Sequence, residues 1–253
     1  MKKIELLAPA GGMEAFRAAV ENGADAVYLG GSMFSARQNA DNFTIEELKE
    51  AVDYAHQRRV RVYVAVNTLV SNEEVGHLIP YLYQLAQCQV DAVIVQDLGV
   101  AGIIRQGLPQ MELHASTQMA VHNSQGIKFL EERGFSRVVL AREVSFENIK
   151  LIRERTSMEL ETFVHGALCI CFSGQCLMSS MIGGRSGNRG HCAQPCRMKY
   201  SLVEKKGKLL AQPDIIGSYL LSTRDLKMIE HIPELVAAGI TSLKIEGRMK
   251  RPE

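Results

Sequence analysis

Five of the six cysteines fall between residues 169 and 196, in the order Cys169-x-Cys171-x4-Cys176-x15-Cys192-x3-Cys196. Thiols at this density point to a metal, an iron–sulfur cluster or a nucleophile. Tetrahedral zinc sites usually show two tight CxxC-like pairs, and this spacing is looser. Four of these thiolates could still hold zinc or a cluster. Gly174, Gly183, Gly184, Gly187 and Gly190 would let the backbone wrap closely and offer its amides to cluster sulfides. A nucleophilic cysteine would need a base, and His165 lies just upstream. One catalytic thiol, however, leaves four others without a role. HExxH, GxSxG and Walker A signatures are absent from the sequence.

The rest of the chain must position this loop. It has 253 residues, 46% of them apolar, enough for one large core or two modest ones. With 29 basic and 28 acidic residues the formal charge is +1, so any contact with RNA must come from a local patch. No stretch reaches the ~18–20 apolar residues of a membrane span. The opening MKKIELLAPAGG lacks the apolar run of a signal peptide. The expectation is a cytoplasmic protein without a membrane partner. Its thiols would stay reduced, which favours metal binding or catalysis over disulfides.

Eight runs rich in Val, Ile and Leu read as strands: Ile4–Pro9, Ala26–Gly30, Val60–Asn67, Ala92–Asp97, Glu112–Thr117, Arg137–Arg142, Leu160–His165 and Ser242–Gly247. Several are apolar on both faces, as strands of a parallel sheet are when helices cover both sides. Helical patterns lie between them at Thr44–Arg58, Glu73–Gln87, Ser124–Arg133, Ser145–Arg155 and Thr223–Ala238. The first opens with a capping box, Thr44 with Glu47 three residues on. This alternation predicts an α/β fold, a (β/α)8 TIM-like barrel forming one domain over residues 1–253. An open doubly wound sheet is the alternative, but no GxGxxG turn follows the first strand.

Two features depart from a plain barrel. The connection after the seventh strand, residues 166–222, is long enough to be functional. It holds the cysteines and then KYSLVEKKGKLLAQ, which reads as a β-hairpin with Lys206-Gly207 at its turn. The second departure is the end. Pro252 and Glu253 read as the first turn of a closing helix, which predicts a truncated final helix and a further segment beyond residue 253.

Function in such barrels sits at the C-terminal strand ends. Those ends carry Asn67, Gln96, Asp97, Ser116 to Gln118, Arg142, Glu143, His165, Glu246 and Arg248. Arg142 and Arg248 could present guanidinium forks to carboxylates or phosphates. Lys244 and Glu246 alternate along one strand and should share its inner face. His114, inside the fifth strand, should fill or line the barrel. His165 and Glu246 are the candidate catalytic groups. Arg142, Arg248, Asn67 and Gln118 are the candidate substrate contacts. Arg185, Arg189, Arg197, Lys199, Lys205, Lys206 and Lys208, on or beside the cysteine loop, form the candidate patch for RNA phosphates.

The run from Glu161 and Phe163 through Gly166-Ala167-Leu168-Cys169, Gly174, Cys176 and Met178-Ser179 resembles the signature of peptidase family U32. The flanks ELLAPAGGMEAF, DAVYLGG, ADNFTIEEL, HASTQMAVHN, VVLAREVS and LKIEGRMK agree, so the resemblance spans the chain. The family is named for collagenase-type peptidases, and that activity is the alternative expectation. Several members are instead similar to one another as oxygen-independent hydroxylation proteins, acting on a tRNA wobble uridine, ribosomal RNA or a quinone precursor. Such members carry a [4Fe–4S] cluster, and those directed at RNA are linked to prephenate as hydroxyl source. Asp41-Asn42-Phe43 and the Gly190–Arg197 segment look most like the tRNA branch. The resemblance therefore implies a tRNA-modifying hydroxylase with tRNA, a prephenate-like dicarboxylate and a family partner subunit as its partners. It places the cluster on Cys169, Cys176 and Cys192, with Cys196 as fourth ligand and Cys171 or a cysteine past residue 253 as substitutes. A zinc ion is the alternative cofactor.

Overall fold

The computed structural model describes residues 4–37, 40–211 and 217–250. Its centre is a closed barrel. Strands β1 (Glu5–Pro9), β2 (Ala26–Gly30), β3 (Arg61–Val66), β4 (Ala92–Val95), β5 (Glu112–Ala115), β6 (Arg137–Val139) and β7 (Glu159–Gly166) pair in parallel, each with the next. A last parallel strand, β9 (Ser242–Ile245), pairs with β7 and with β1 and closes the ring. Closure rules out the open sheet. Between β7 and β9 a two-residue strand, β8 (Leu226–Lys227), runs antiparallel to the end of β7.

Helices α1 (Met13–Glu21), α2 (Ile45–His56), α3 (Asn72–Gln87), α4 (Leu98–Gly107), α5 (Ser124–Glu131) and α6 (Phe146–Arg153) follow β1 to β6 in turn. Strand residues that point outward, such as Leu29, Val62, Val64, Val93 and Leu113, form the main apolar core with buried faces of these helices. The capping box of α2 is present as expected, with the Glu47 amide donating to Thr44 and the Thr44 amide to Glu47. Helices α1 and α4 were not singled out by spacing. α4, LGVAGIIRQG, is short and apolar on most sides, so its periodicity is weak.

The helical pattern over Thr223–Ala238 is corrected. Only α8 (Ile232–Ala237) is α-helical, after β8 and a single 3-10 turn. Pro233 lies in the first turn of α8. A proline there lacks an N–H and would clash with the carbonyl one turn earlier, so the helix cannot extend back through it. The cysteine loop carries one short helix, α7 (Met178–Gly183), and two 3-10 turns. The expected hairpin forms, with a Val203–Leu209 bridge and Gly207 at φ 85° in its turn. Pro252 and Glu253 lie outside the described residues.

The barrel interior is charged at its N-terminal end. Glu5, Arg137, Glu161, Ser242 and Lys244 are all buried there. Arg137 bonds Glu5 and reaches Glu161 at 3.2 Å, and Lys244 reaches the other Glu161 oxygen at 2.8 Å. The Ser242 hydroxyl, with one proton to give, lies 2.9 Å from a Glu5 oxygen and 3.2 Å from a Glu161 oxygen, and Tyr63 donates to Glu5 at 2.7 Å. Two anions thus face two cations, the condition under which buried charges can be held. His114 lines the same interior, 1% exposed, its ring edge-on to Tyr63. Burial lowers its pKa, so it sits there neutral.

Candidate functional site

Above that charged layer the cysteine loop closes over the C-terminal mouth of the barrel and encloses a cavity of about 250 Å³. Strand alternation decides which side chains enter it. Tyr28 of β2, Ile94 of β4, Phe163 of β7 and Lys244 of β9 form its floor, with Glu246 and Arg248 beyond the end of β9. Asn67, Gln118 and Arg142 arrive from the turns after β3, β5 and β6. Cys169, Cys176, Cys192 and Cys196 come from the loop above. Nine of the ten candidate residues therefore face one space.

His165 is the exception. The pairing of β7 with β9 slips between Phe163 and His165, and the His165 side chain emerges exposed outside the cavity lining. The slip breaks the inward alternation that Glu161 and Phe163 follow. Cys171 is not among the lining residues either.

Glu246 is the hub of the cavity. Its carboxylate accepts from Arg142 at 2.8 Å and from Arg37 at 3.5 Å. Burial alone would raise its pKa, but Arg37, Arg142, Arg248 and Lys244 overcome this and hold the carboxyl below its usual range. Arg248 is 5% exposed and donates to the Ser35 hydroxyl at 2.8 Å. Burial pushes the Arg248 pKa down to about 10, so the guanidinium remains charged at neutral pH. Arg142 lies over the Phe163 ring at 4.0 Å, and its buried Nε has no partner among the described residues. The Gln118 side-chain oxygen is also buried and unpartnered. The cavity thus presents more cationic than anionic groups, plus one donor and one acceptor without partners. These are the requirements of a small anionic ligand with a polar substituent.

Arg37 was not read from the sequence. It sits in the connection between β2 and α2, beyond the strand end where rim residues are sought, and only closure of the barrel brings it to Glu246. Tyr28 and Phe163 were read as strand residues, and the inward phase that makes them floor residues comes from the pairing.

The loop is held at several points. Ser173 bonds Glu143 through both its amide and its hydroxyl. Gly174, at φ 74°, lies so close to Gln118 that an added Cβ would come within 2.0 Å of the Gln118 carbonyl oxygen. Arg197 donates to Ser222, Thr223 and Leu168, which makes it a brace of the loop and not a free phosphate contact. Arg189 forms a two-pronged pair with Glu74 and bonds the Leu69 carbonyl. Of the expected basic patch, Arg185, Lys199, Lys205, Lys206 and Lys208 remain exposed. Residues 187–192 form a shared wall: Asn188, Gly190 and Cys192 face the cysteine cavity, while Arg189 and His191 face a second cleft of about 320 Å³ beside Met33, Thr68 and His77.

All six cysteines are free thiols. Burial raises the Cys196 and Cys171 pKa values, and the neighbouring thiols add to the shift. Thiolates on one zinc ion, each about 2.3 Å from the metal, lie within about 4.6 Å of one another. Among the described residues no three Cys, His, Asp or Glu side chains are drawn together as for a single ion. Cys169, Cys176, Cys192 and Cys196 all line the one cavity.

The family model for peptidase family U32 matches residues 11–253. The chain belongs to this family. It is 44% identical to tRNA hydroxylation protein P1 of Bacillus subtilis, over 98% of the chain and 60% of that relative. A 23S rRNA 5-hydroxycytidine synthase of Escherichia coli is 40% identical, over 98% of the chain and 37% of that protein. The chain thus spans less than two thirds of either relative. The solved structure of a U32 peptidase superposes with a TM-score of 0.64 at 16% identity, covering 97% of this chain and 93% of that one, which supports the U32 barrel fold. No helix among the described residues of this U32 chain is long and apolar enough to cross a membrane.

Proposed function

We propose that this chain is the barrel and cysteine loop of an iron–sulfur RNA hydroxylation protein, acting on a tRNA wobble uridine with prephenate as hydroxyl source. The observation that carries the proposal is one shared cavity: Cys169, Cys176, Cys192 and Cys196 line the same space as Arg142, Glu246 and Arg248. The names of the two RNA-directed relatives supply the substrate class. The four cysteines would hold a [4Fe–4S] cluster, which supplies redox chemistry when bound.

The protein's own groups handle the small ligand. Arg142 and Arg248 line the cavity with guanidinium groups largely withdrawn from solvent, and the Arg142 Nε has no partner among the described residues, so they suit the two carboxylates of prephenate. Glu246 keeps the guanidinium of Arg142 oriented. The free Gln118 oxygen accepts from a ligand hydroxyl. Asn67 holds the β2–α2 connection that carries Arg37, its side-chain oxygen accepting from the Ala36 amide at 3.0 Å. The exposed lysines on and beside the hairpin would meet RNA phosphates.

The test is anaerobic purification with iron and sulfide analysis and a visible absorbance spectrum, followed by nucleoside mass spectrometry of tRNA incubated with prephenate and a reductant. Four irons and four sulfides per chain, with tRNA hydroxylation lost in Cys169→Ser, support the reading. A colourless wild-type chain that cleaves gelatin, with cleavage surviving Cys169→Ser, would replace it with the peptidase activity of the family name.

A further inference from the structure

The geometry points to Lys244 as a third cationic anchor for the small dianion, a substrate-contacting residue on the cavity floor. This inference rests on the proposed function, whose carboxylate contacts are Arg142 and Arg248. Lys244 is 4% exposed and lines the cavity. Its Nζ lies 4.2 Å from the centre of the Tyr28 ring and 5.6 Å from that of Phe163, so two aromatic faces fix its direction. Those rings also carry the other two cations: Arg142 lies over Phe163 at 4.0 Å, and Arg248 lies 5.9 Å from Tyr28. Lys244 therefore shares one ring with each of the two arginines.

An ammonium has three N–H donors. Among the described residues Lys244 makes one side-chain hydrogen bond, to Glu161 at 2.8 Å, directed down into the barrel. The Glu161 carboxylate is itself kept ionised, burial being overcome by Lys244 and Arg137. The ammonium is thus anchored from below and has donors left for the cavity. A ligand carboxylate set there would meet charge already desolvated and positioned, so little reorganisation accompanies binding.

The experiment compares prephenate affinity, by isothermal titration under anaerobic conditions, for the wild-type chain, Lys244→Met, Glu161→Gln, and the double variant carrying both. Iron content and thermal melting are read on each. Direct contact predicts that Lys244→Met and the double variant bind prephenate about 10- to 100-fold more weakly, the loss expected for a charge-assisted hydrogen bond. Glu161→Gln, which keeps the ammonium and frees it from its partner, should bind at least as tightly as wild type. The double variant removes both charges of the pair, so it guards against a Lys244→Met chain that fails to fold because the buried Glu161 has lost one of its two cations, Arg137 remaining. If Glu161→Gln and Lys244→Met weaken binding equally, or if the double variant binds like wild type, Lys244 is a structural partner of Glu161 only and the inference fails alone. A folded wild-type chain with its iron in place that binds no prephenate would overturn the dicarboxylate reading, and this inference with it.

Discussion

The wall between the two cavities, residues 187–192, carries Cys192 and is tied to the barrel chiefly through Arg189. The perturbation to make is Arg189→Gln. It removes two contacts to Glu74 and one to the Leu69 carbonyl. The pair is partly exposed, 40% at Arg189 and 31% at Glu74, so solvent screening keeps its contribution near the upper end of surface pairs, about 1 kcal/mol. The lost carbonyl bond adds about 0.5–1.5 kcal/mol. The wall should then open about 10- to 70-fold more often. Trypsin cutting after exposed Arg185, in the regime where cleavage follows the open population, should accelerate by a similar factor. On the proposed function, cluster iron would leave the purified protein faster in parallel. A double-mutant cycle with Glu74→Gln isolates the pair and should return about 1 kcal/mol of coupling. The pH dependence has a definite sign. The Arg189 guanidinium, aided by the Ser71 amide, depresses the Glu74 pKa to about 2. The contribution is therefore complete above about pH 4.5, the unperturbed range of a carboxyl, and is lost as pH falls toward about 2. Hydrogen exchange across 187–192, corrected for intrinsic rate, should be flat from pH 7 to 5 and rise below that. Cleavage after Arg185 within twofold of wild type, or no coupling in the cycle, would refute the latch.

Three further outcomes are expected. Gly174→Ala should cost more than Gly184→Ala, although both glycines sit at positive φ, because a Cβ at 174 meets the Gln118 carbonyl while the space at 184 is open; denaturant melts with iron analysis check it. Arg137→Met should destabilise the fold by about 3–5 kcal/mol in urea titration, since it takes from the buried Glu5 and Glu161 the one cation they share and leaves each a single cationic neighbour among the described residues, Arg61 and Lys244, and Glu5→Gln should recover part of the loss. On the proposed function, Cys171→Ser should keep iron and sulfide while Cys196→Ser loses them, because of the two only Cys196 lines the cavity; equal loss in both would overturn Cys196 as the proposed fourth ligand.

Much of this was written locally in the chain. The Val- and Ile-rich runs and the capping pairs report short-range geometry, which side-chain period and turn chemistry dictate, so strands and barrel could be read directly. The density of cysteines announced the loop, and the position of Asn67, Gln118, Arg142, Glu246 and Arg248 at strand ends announced the rim. Long-range pairing settled the remainder. A slip in the β7–β9 register turned His165 out of the cavity. Barrel closure brought Arg37 to Glu246 across more than two hundred residues of chain. Arg189 and Arg197 look in sequence like Arg185 or Lys199, yet the fold commits them to Glu74, Leu168 and Thr223. A charge in a sequence carries no label for its partner. The partner is chosen by which oxygens the packed chain leaves within reach, and that distance exists only after the barrel has closed.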